Sequence, residues 1–383
     1  MSAPLTILGS GHAGITLARD LRKLAPDLPL RLITREDGHY YYKPDLSKAF
    51  AAGKDADGLI KNPLEQLVEQ LKAEVLVRKD VTAIDPAAHA VQVDGEWLPY
   101  SKLVLATGAD VVRLPIAGDA AAEVLSVNDR EDYGRFRALL KPGARVLIIG
   151  AGLIGCEFAN DLAASGHAVR VVDIAAWPLS RLLPEAQGRA LQEGLGKLGV
   201  TWQLGASVAS LDRVGGSVEA RFSDDSRATV DVVLSAVGLR PRTRLAADAG
   251  IACKAGIVVD DHLQTSAVDV YALGDCIEVN GRLLPYILPI ANASRALAAT
   301  LAGTPTKARF PAMPVIVKTP ACPTLVNPPP PVAGSWEVTG TAPDLEAVYK
   351  DESGKPLGFA LTGAATSKRS QYVPLMPAIH EPA

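Results

Sequence analysis

The feature that most constrains this chain is a short apolar run that enters a glycine-spaced loop and leaves it as a helical pattern, written twice. In the first copy, Leu5-Thr6-Ile7-Leu8 meets Gly9-Ser10-Gly11-His12-Ala13-Gly14, followed by Ile15-Thr16-Leu17-Ala18-Arg19-Asp20-Leu21. In the second, Arg145-Val146-Leu147-Ile148-Ile149 meets Gly150-Ala151-Gly152-Leu153-Ile154-Gly155, followed by Cys156-Glu157-Phe158-Ala159-Asn160-Asp161-Leu162. Each reads as strand, tight turn and helix. The first glycine permits the turn and the second lets backbone approach a pyrophosphate. The third lets the helix pack on its strand while its N-terminal N–H groups face the anion. A single copy is matched by many purely structural turns, whereas two copies predict two dinucleotide-binding folds.

The strand after each loop separates the copies. Ala168-Val169-Arg170-Val171-Val172 ends in Asp173, roughly 20 residues past the second loop, where an acid accepts ribose hydroxyls and repels a 2′-phosphate. This predicts NADH rather than NADPH; the alternative is a solvated strand-end acid. In the first copy, Leu30-Arg31-Leu32-Ile33-Thr34 leaves Thr34 or Arg35 near the ribose position, with Glu36 and Asp37 just beyond. Those acids either reach the ribose or form a charged turn.

Two dinucleotide folds suit a hydride carrier beside a tightly held flavin, so FAD is expected in the first. Leu103-Val104-Leu105 enters Ala106-Thr107-Gly108, a strand and small-residue turn fit to close a flavin domain. Val270-Tyr271-Ala272-Leu273-Gly274-Asp275 places an acid after a buried strand. Asp275 there either hydrogen-bonds the ribityl chain or serves as an ordinary N-cap.

Composition narrows the choice. With 39 Lys+Arg against 42 Asp+Glu there is no positive surplus for phosphate backbones, so no nucleic acid is expected. The longest apolar run, near Val146, is broken by Gly150 and Gly152, short of the roughly 20 residues a span needs. The first residues lack a cationic signal start, which predicts a cytoplasmic protein. Four cysteines, Cys156, Cys253, Cys276 and Cys322, form no CxxC pair, so neither a metal site nor a local redox dithiol is expected. The electrons must leave for an external acceptor, and a flavin can release them singly to a metalloprotein. Oxygen and quinones stay open.

Taken in order, Gly9 to Gly14, Ala106 to Gly108, Gly150 to Glu157, Ala236-Val237-Gly238-Leu239-Arg240-Pro241 and Tyr271 to Asp275 resemble the two-dinucleotide-fold flavoprotein reductases, glutathione-reductase-like in architecture. The resemblance covers nearly the whole chain. It implies an α/β fold with two Rossmann-like dinucleotide-binding domains, for FAD and NAD, plus a small α+β C-terminal domain. The FAD domain would be residues 1–113 and 243–308, the NAD domain 114–242 and the C-terminal domain 309–383. By the same resemblance Val237 and Gly238 lie near the nicotinamide end of NADH. Glu157 sits where nicotinamide meets flavin; its plain alternative is a first-turn glutamate favoured by the helix dipole.

Where relatives carry a redox cysteine, this chain reads His39-Tyr40-Tyr41-Tyr42-Lys43-Pro44-Asp45-Leu46-Ser47-Lys48, with none. That segment, with Val317-Lys318-Thr319-Pro320-Ala321-Cys322-Pro323, is similar to the rubredoxin reductase group. The resemblance implies that Lys43 and Lys318 approach the isoalloxazine, that Glu157 and Lys318 act in catalysis, and that backbone at Val81 meets adenine and at Ile287 the flavin edge. Each lysine is otherwise a solvated surface charge; Val315-Ile316-Val317, read as a buried strand, favours Lys318. The group implies electron transfer from NADH through FAD to rubredoxin, or to a similar small iron carrier. Alternatives are reductases of flavorubredoxin or ferredoxin, an NADH oxidase, or a redox-sensing flavoprotein acting through partner binding. The short C-terminal segment, with strands expected around Trp336, Val348 and Phe359, suggests a monomer. Lys43, Lys48 and Lys318 are candidates to meet an acidic carrier.

Overall fold

In the computed structural model, residues 3–382 are described. Leu5–Leu8, the first strand, lies inside a five-stranded parallel sheet ordered Val270–Ala272, Leu103–Leu105, Leu5–Leu8, Leu30–Ile33, Glu74–Leu76. A parallel sheet covered on both faces needs nearly continuous apolar strands. Leu5, Ile7, Leu32, Leu103 and Val270 are each at most 1 % exposed. The helices His12–Leu24 and Ile287–Leu301 pack together beside the sheet. The segment around residue 270 therefore returns to the sheet that the first hundred residues build.

Between these halves stands a second parallel sheet, ordered Thr201–Leu204, Ala168–Asp173, Arg145–Ile149, Val232–Ser235. The chain crosses outward along Ala109–Val111 and back along Leu239–Pro241, and those two strands pair antiparallel. The structure thus has two doubly wound α/β units joined by a two-strand connection.

From Val315 the chain builds a five-stranded antiparallel sheet in the order Val315–Val317, Thr324–Asn327, Pro356–Thr362, Asp344–Asp351, Gly334–Thr341. The three strands expected around Trp336, Val348 and Phe359 are present within it. Val315, Val317, Val326, Ala347 and Ala360 share one apolar core with Val146, Ile148 and Phe158, so this sheet is packed on the second unit. One strand differs from expectation. Val315 and Val317 are buried, but Ile316 is 59 % exposed, because the strand lies at the sheet edge and alternate residues face opposite sides.

Among the described residues no helix is long and apolar enough to cross a membrane, and no cluster of His, Cys, Asp or Glu could hold a metal ion.

Candidate active site

The two glycine loops fold almost identically. Gly9 and Gly150 hold φ +112 and +106, in the region that favours glycine. A Cβ on Gly9 would collide with the Ala106 carbonyl oxygen, and one on Gly150 with that of Ala236. Gly14 and Gly155, the third glycines, rest against the carbonyls of Gly9 and Gly150, and a Cβ there would push helix off strand. Gly11 and Gly152 face open space, with nothing within 4 Å of the Cβ direction. Each caps its helix without a side-chain acceptor and without an acid in the first turn. The helix Arg130–Leu139 shows the contrast: Asp129 accepts the Asp132 N–H at 2.7 Å, and Glu131 and Asp132 fill its first turn. The first-turn amides of the two loop helices thus have no side-chain acceptor and no neighbouring acid, an arrangement suited to an anion.

Both open onto one cleft of about 1750 Å³, larger than the roughly 300–1,000 Å³ of a single small-molecule site. Of the residues assigned from sequence to cofactor binding or catalysis, all but Gly14 and Gly155 line it; those two lie beneath the loops.

On the first-loop side the cleft begins with Gly9, Ser10, Gly11, His12 and Ala13. Ser10 Oγ donates to Thr34 Oγ1 at 2.9 Å, tying loop to strand end. Arg35 points outward to Asp80 at 3.5 Å, both exposed, and Val81 lines the wall nearby. Glu36 receives the Tyr41 hydroxyl at 3.3 Å; burial, aided by Asp129, pushes its carboxyl above the usual range. Asp37 is taken up by Arg130 and the His39 N–H, which outweigh burial and hold it low.

Further in, Ala106, Thr107, Gly108, Lys43 and Asp275 converge. Lys43 Nζ donates to Asn128 Oδ1 at 2.7 Å, whose Nδ2 donates to the Ala109 carbonyl at 3.0 Å. Burial lowers the Lys43 ammonium although Asp275 opposes the shift, and burial raises Asp275 although Lys43 opposes that. Ile287 opens the helix Ile287–Leu301, whose N-terminus also lacks a capping side chain and a first-turn acid. A third uncapped helix end thus borders the cleft, with the positive end of its dipole there.

On the second-loop side lie Gly150, Gly152, Leu153, Ile154, Val237, Gly238 and Asp173. Asp173 accepts the Ala151 N–H at 2.6 Å and the Ala175 N–H at 2.8 Å, so it braces the loop it faces. Glu157 stands past the first helical turn and is fully buried, which removes the first-turn alternative. Its Oε2 receives Ser47 Oγ at 2.5 Å and pairs with Lys318 Nζ; its Oε1 receives the Lys318 N–H at 3.0 Å. A buried carboxylate is stable only when its oxygens are met by donors, and here a hydroxyl, an amide and an ammonium meet them. Lys318 and Glu157 are therefore one unit. Lys48, by contrast, is exposed and bound to Asp45 at 3.0 Å.

Among the described residues no cysteine lines the cleft. Cys156 and Cys276 are fully buried packing residues whose thiols burial pushes up, and Cys322 is also buried. Sequence reasoning missed Ser47, Asn128 and Arg130. For Asn128 and Arg130 the Asp129–Asp132 cap was a usable signal of a helix starting there.

The profile of the pyridine nucleotide-disulphide oxidoreductase family matches residues 3–298, and that of a rubredoxin-binding C-terminal domain matches 307–376. The chain belongs to the pyridine nucleotide-disulphide oxidoreductase family. Within that family it is 44 % identical to a rubredoxin-NAD(+) reductase of Alcanivorax borkumensis, over 98 % of this chain and 99 % of the relative. A nitric oxide reductase FlRd-NAD(+) reductase of Aeromonas hydrophila is 37 % identical, over 95 % of this chain and 94 % of the relative. Among solved structures, a covalent putidaredoxin reductase–putidaredoxin complex superposes with a TM-score of 0.89 at 25 % identity, covering 98 % of this chain and 93 % of that one. The family name mentions a disulphide, and among the described residues of this member's cleft no cysteine is present to form one.

Proposed function

We propose that this chain is an FAD-dependent NADH:rubredoxin oxidoreductase. The observation that carries the reading is the single cleft onto which both uncapped glycine loops and the Glu157–Lys318 pair open. When bound, FAD supplies the passage from two-electron to one-electron chemistry.

The chain's own residues bind, orient and set charge. The amides around Gly9, Ser10, Gly11, His12 and Ala13 would hold the FAD pyrophosphate, with Gly14 seating the helix. Thr34 and Arg35 would flank its ribose, Val81 its adenine, and Ala106, Thr107, Gly108 and Asp275 its middle. Lys43, Lys318 and the Ile287 helix end bring positive potential to the cleft interior, which would favour negative charge on a bound flavin. Glu157 and Ser47 fix the Lys318 ammonium in place. Gly150, Gly152, Leu153, Ile154 and Gly155 would hold NADH, with Asp173 at its ribose and Val237 and Gly238 toward its nicotinamide. No side chain has to accept or give a proton for NADH to be oxidised.

Residues 1–113 with 243–308 form the FAD-binding unit in this reading, 114–242 the NAD-binding unit and 309–383 the carrier-facing unit. The match of the last to a rubredoxin-binding profile, and the 44 % identical relative, support rubredoxin as partner. The enzyme is read as a cytoplasmic monomer. A second acceptor, flavorubredoxin, is favoured by the name of the Aeromonas relative.

Purified protein should be yellow, be bleached by NADH faster than by NADPH, and reduce rubredoxin saturably. Saturation by ferredoxin at lower concentration than by rubredoxin overturns the acceptor. Slow turnover with every acceptor, together with NADH-dependent binding of a partner, would support the redox sensor instead.

A further inference from the structure

The helix Leu153–Ala164 carries two acids one turn apart, Glu157 and Asp161, both buried; Asp161 is 3 % exposed. Like charges at this spacing repel one another on a helix, and each costs solvation when buried. Their placement has a common target. Both grip the same stretch of the first unit, residues 47–51. Glu157 takes the Ser47 hydroxyl, and Asp161 takes two backbone N–H groups, Phe50 at 2.9 Å and Ala51 at 3.1 Å.

The gripped stretch is weak by itself. Lys43–Lys48 is a 3-10 turn, a form with poor hydrogen-bond geometry that rarely persists alone. Its upstream end is held by Lys43 on Asn128 and its downstream end by Asp161. The Phe50 ring reinforces the downstream hold. Tyr133, Phe136 and His167 meet it edge-on at 5.6–6.1 Å, and the Arg137 guanidinium lies 4.6 Å from its centre. On the same helix Asn160 Oδ1 accepts the Ala321 N–H at 3.1 Å, just past Lys318. Three neighbouring side chains of one helix thus fasten the first unit and the C-terminal unit to the loop that starts it.

We propose that Asp161 is a positioning residue: by fixing Phe50 and Ala51 it holds Ser47 against Glu157, and through Glu157 sets where the Lys318 ammonium stands. Removing Asp161 frees the end of the 3-10 turn and withdraws the Ser47 hydroxyl. Glu157 Oε2 is left with Lys318 alone, and the ammonium shifts. Asp161 touches neither cofactor nor substrate; it acts through two amides and a serine.

The test compares Asp161→Asn, Ser47→Ala and the double variant with the wild type. One readout needs no flavin: the rate at which acetic anhydride labels Lys318, read by mass spectrometry. The other is single-turnover bleaching of bound flavin by NADH, which rests on the reading of the cleft given above. Losing a hydrogen bond to a charged group corresponds to a factor of about 10 to 100. Both single variants should label Lys318 faster and bleach more slowly by a factor in that range. The double variant should be no worse than Ser47→Ala alone, because both changes break one chain of contacts. If Asp161→Asn raises amide exchange at residues 50–51 but leaves labelling and bleaching unchanged, Asp161 only caps a turn and the proposal fails. Multiplying slowdowns in the double variant also overturn it. Should Asp161→Asn melt at the assay temperature, Asp161→Glu keeps the charge, displaces it by one methylene and carries the same expectations. A wild type that takes up no FAD refutes the cofactor reading, while the labelling arm still decides this one.

Discussion

The two glycine loops share a backbone and part company at the strand ends that face them. Each has a first glycine at strongly positive φ, a second facing open cleft and a third beneath a carbonyl. At the first loop the strand end is Thr34, a neutral side chain taking the Ser10 hydroxyl; at the second it is Asp173, a carboxylate taking the Ala151 amide. The comparison teaches a division of labour. On the proposed reading, backbone geometry would make a place for a pyrophosphate, which any dinucleotide has, and the strand-end side chain would select among dinucleotides.

Breaking the backbone half should have the largest effect. In Gly9→Ala the new Cβ meets the Ala106 carbonyl and adds backbone strain, overpacking that costs about 1–3 kcal/mol with a similar penalty for the φ value. That variant should emerge colourless from gel filtration with a lowered Tm. Gly150→Ala should stay yellow and respond weakly to NADH. Loss of colour in both variants would mean that the loops are not assigned to separate cofactors.

Next in size comes the charge at the cleft's centre, where the two lysines contrast. Lys318 faces a fully buried carboxylate, while Lys43 faces a neutral amide. Lys318→Met leaves Glu157 buried with its charge half-answered, so flavin bleaching should slow by on the order of 10²-fold and Tm should fall. Lys43→Met should cost less in Tm. Equal effects would place the two lysines in one role.

The strand-end half of the comparison is sharpened by Asp173→Ala. Preference for NADH over NADPH, measured as a ratio of kcat/KM values, should drop by about tenfold. The flavin content should not change. A variant with unaltered preference would make Asp173 only a brace for Ala151.

The smallest expected effect is a pH dependence at Asp161, where the second unit holds the first. Burial, opposed by the Phe50 and Ala51 amides and by Arg137, pushes Asp161 up to about 6 from an ordinary 3.8; Tyr133 is the other titratable group facing it. The folded state therefore binds this proton more tightly than the unfolded state. The associated stability is complete below about pH 4 and is lost as pH rises through 6. Between pH 5 and 7 the Tm of the wild type should fall relative to Asp161→Asn by about 2–4 °C. A parallel pair of curves would put Asp161 outside this titration.

Much of the frame was legible because its signals are local. Strand, glycines and helix stand next to each other in both copies, and Asp173 follows at a fixed distance set by one helix and one strand. The Glu157 unit was not, since Ser47 lies 110 positions and Lys318 161 positions away, and only the packing of three units brings them together. Lys43 was named for the cleft, yet its partner Asn128 was invisible for the same reason. Ile316 misled because a three-residue apolar run does not say whether its strand is central or at an edge.

The most direct test of a shared cleft with an outlet for electrons is an anaerobic titration of the purified protein with NADH in the presence of oxidised rubredoxin. It should show one FAD per chain, bleached by NADH and recoloured as two rubredoxins are reduced per NADH consumed. Protein that takes up no FAD, or flavin that NADH bleaches while rubredoxin stays oxidised, would contradict it.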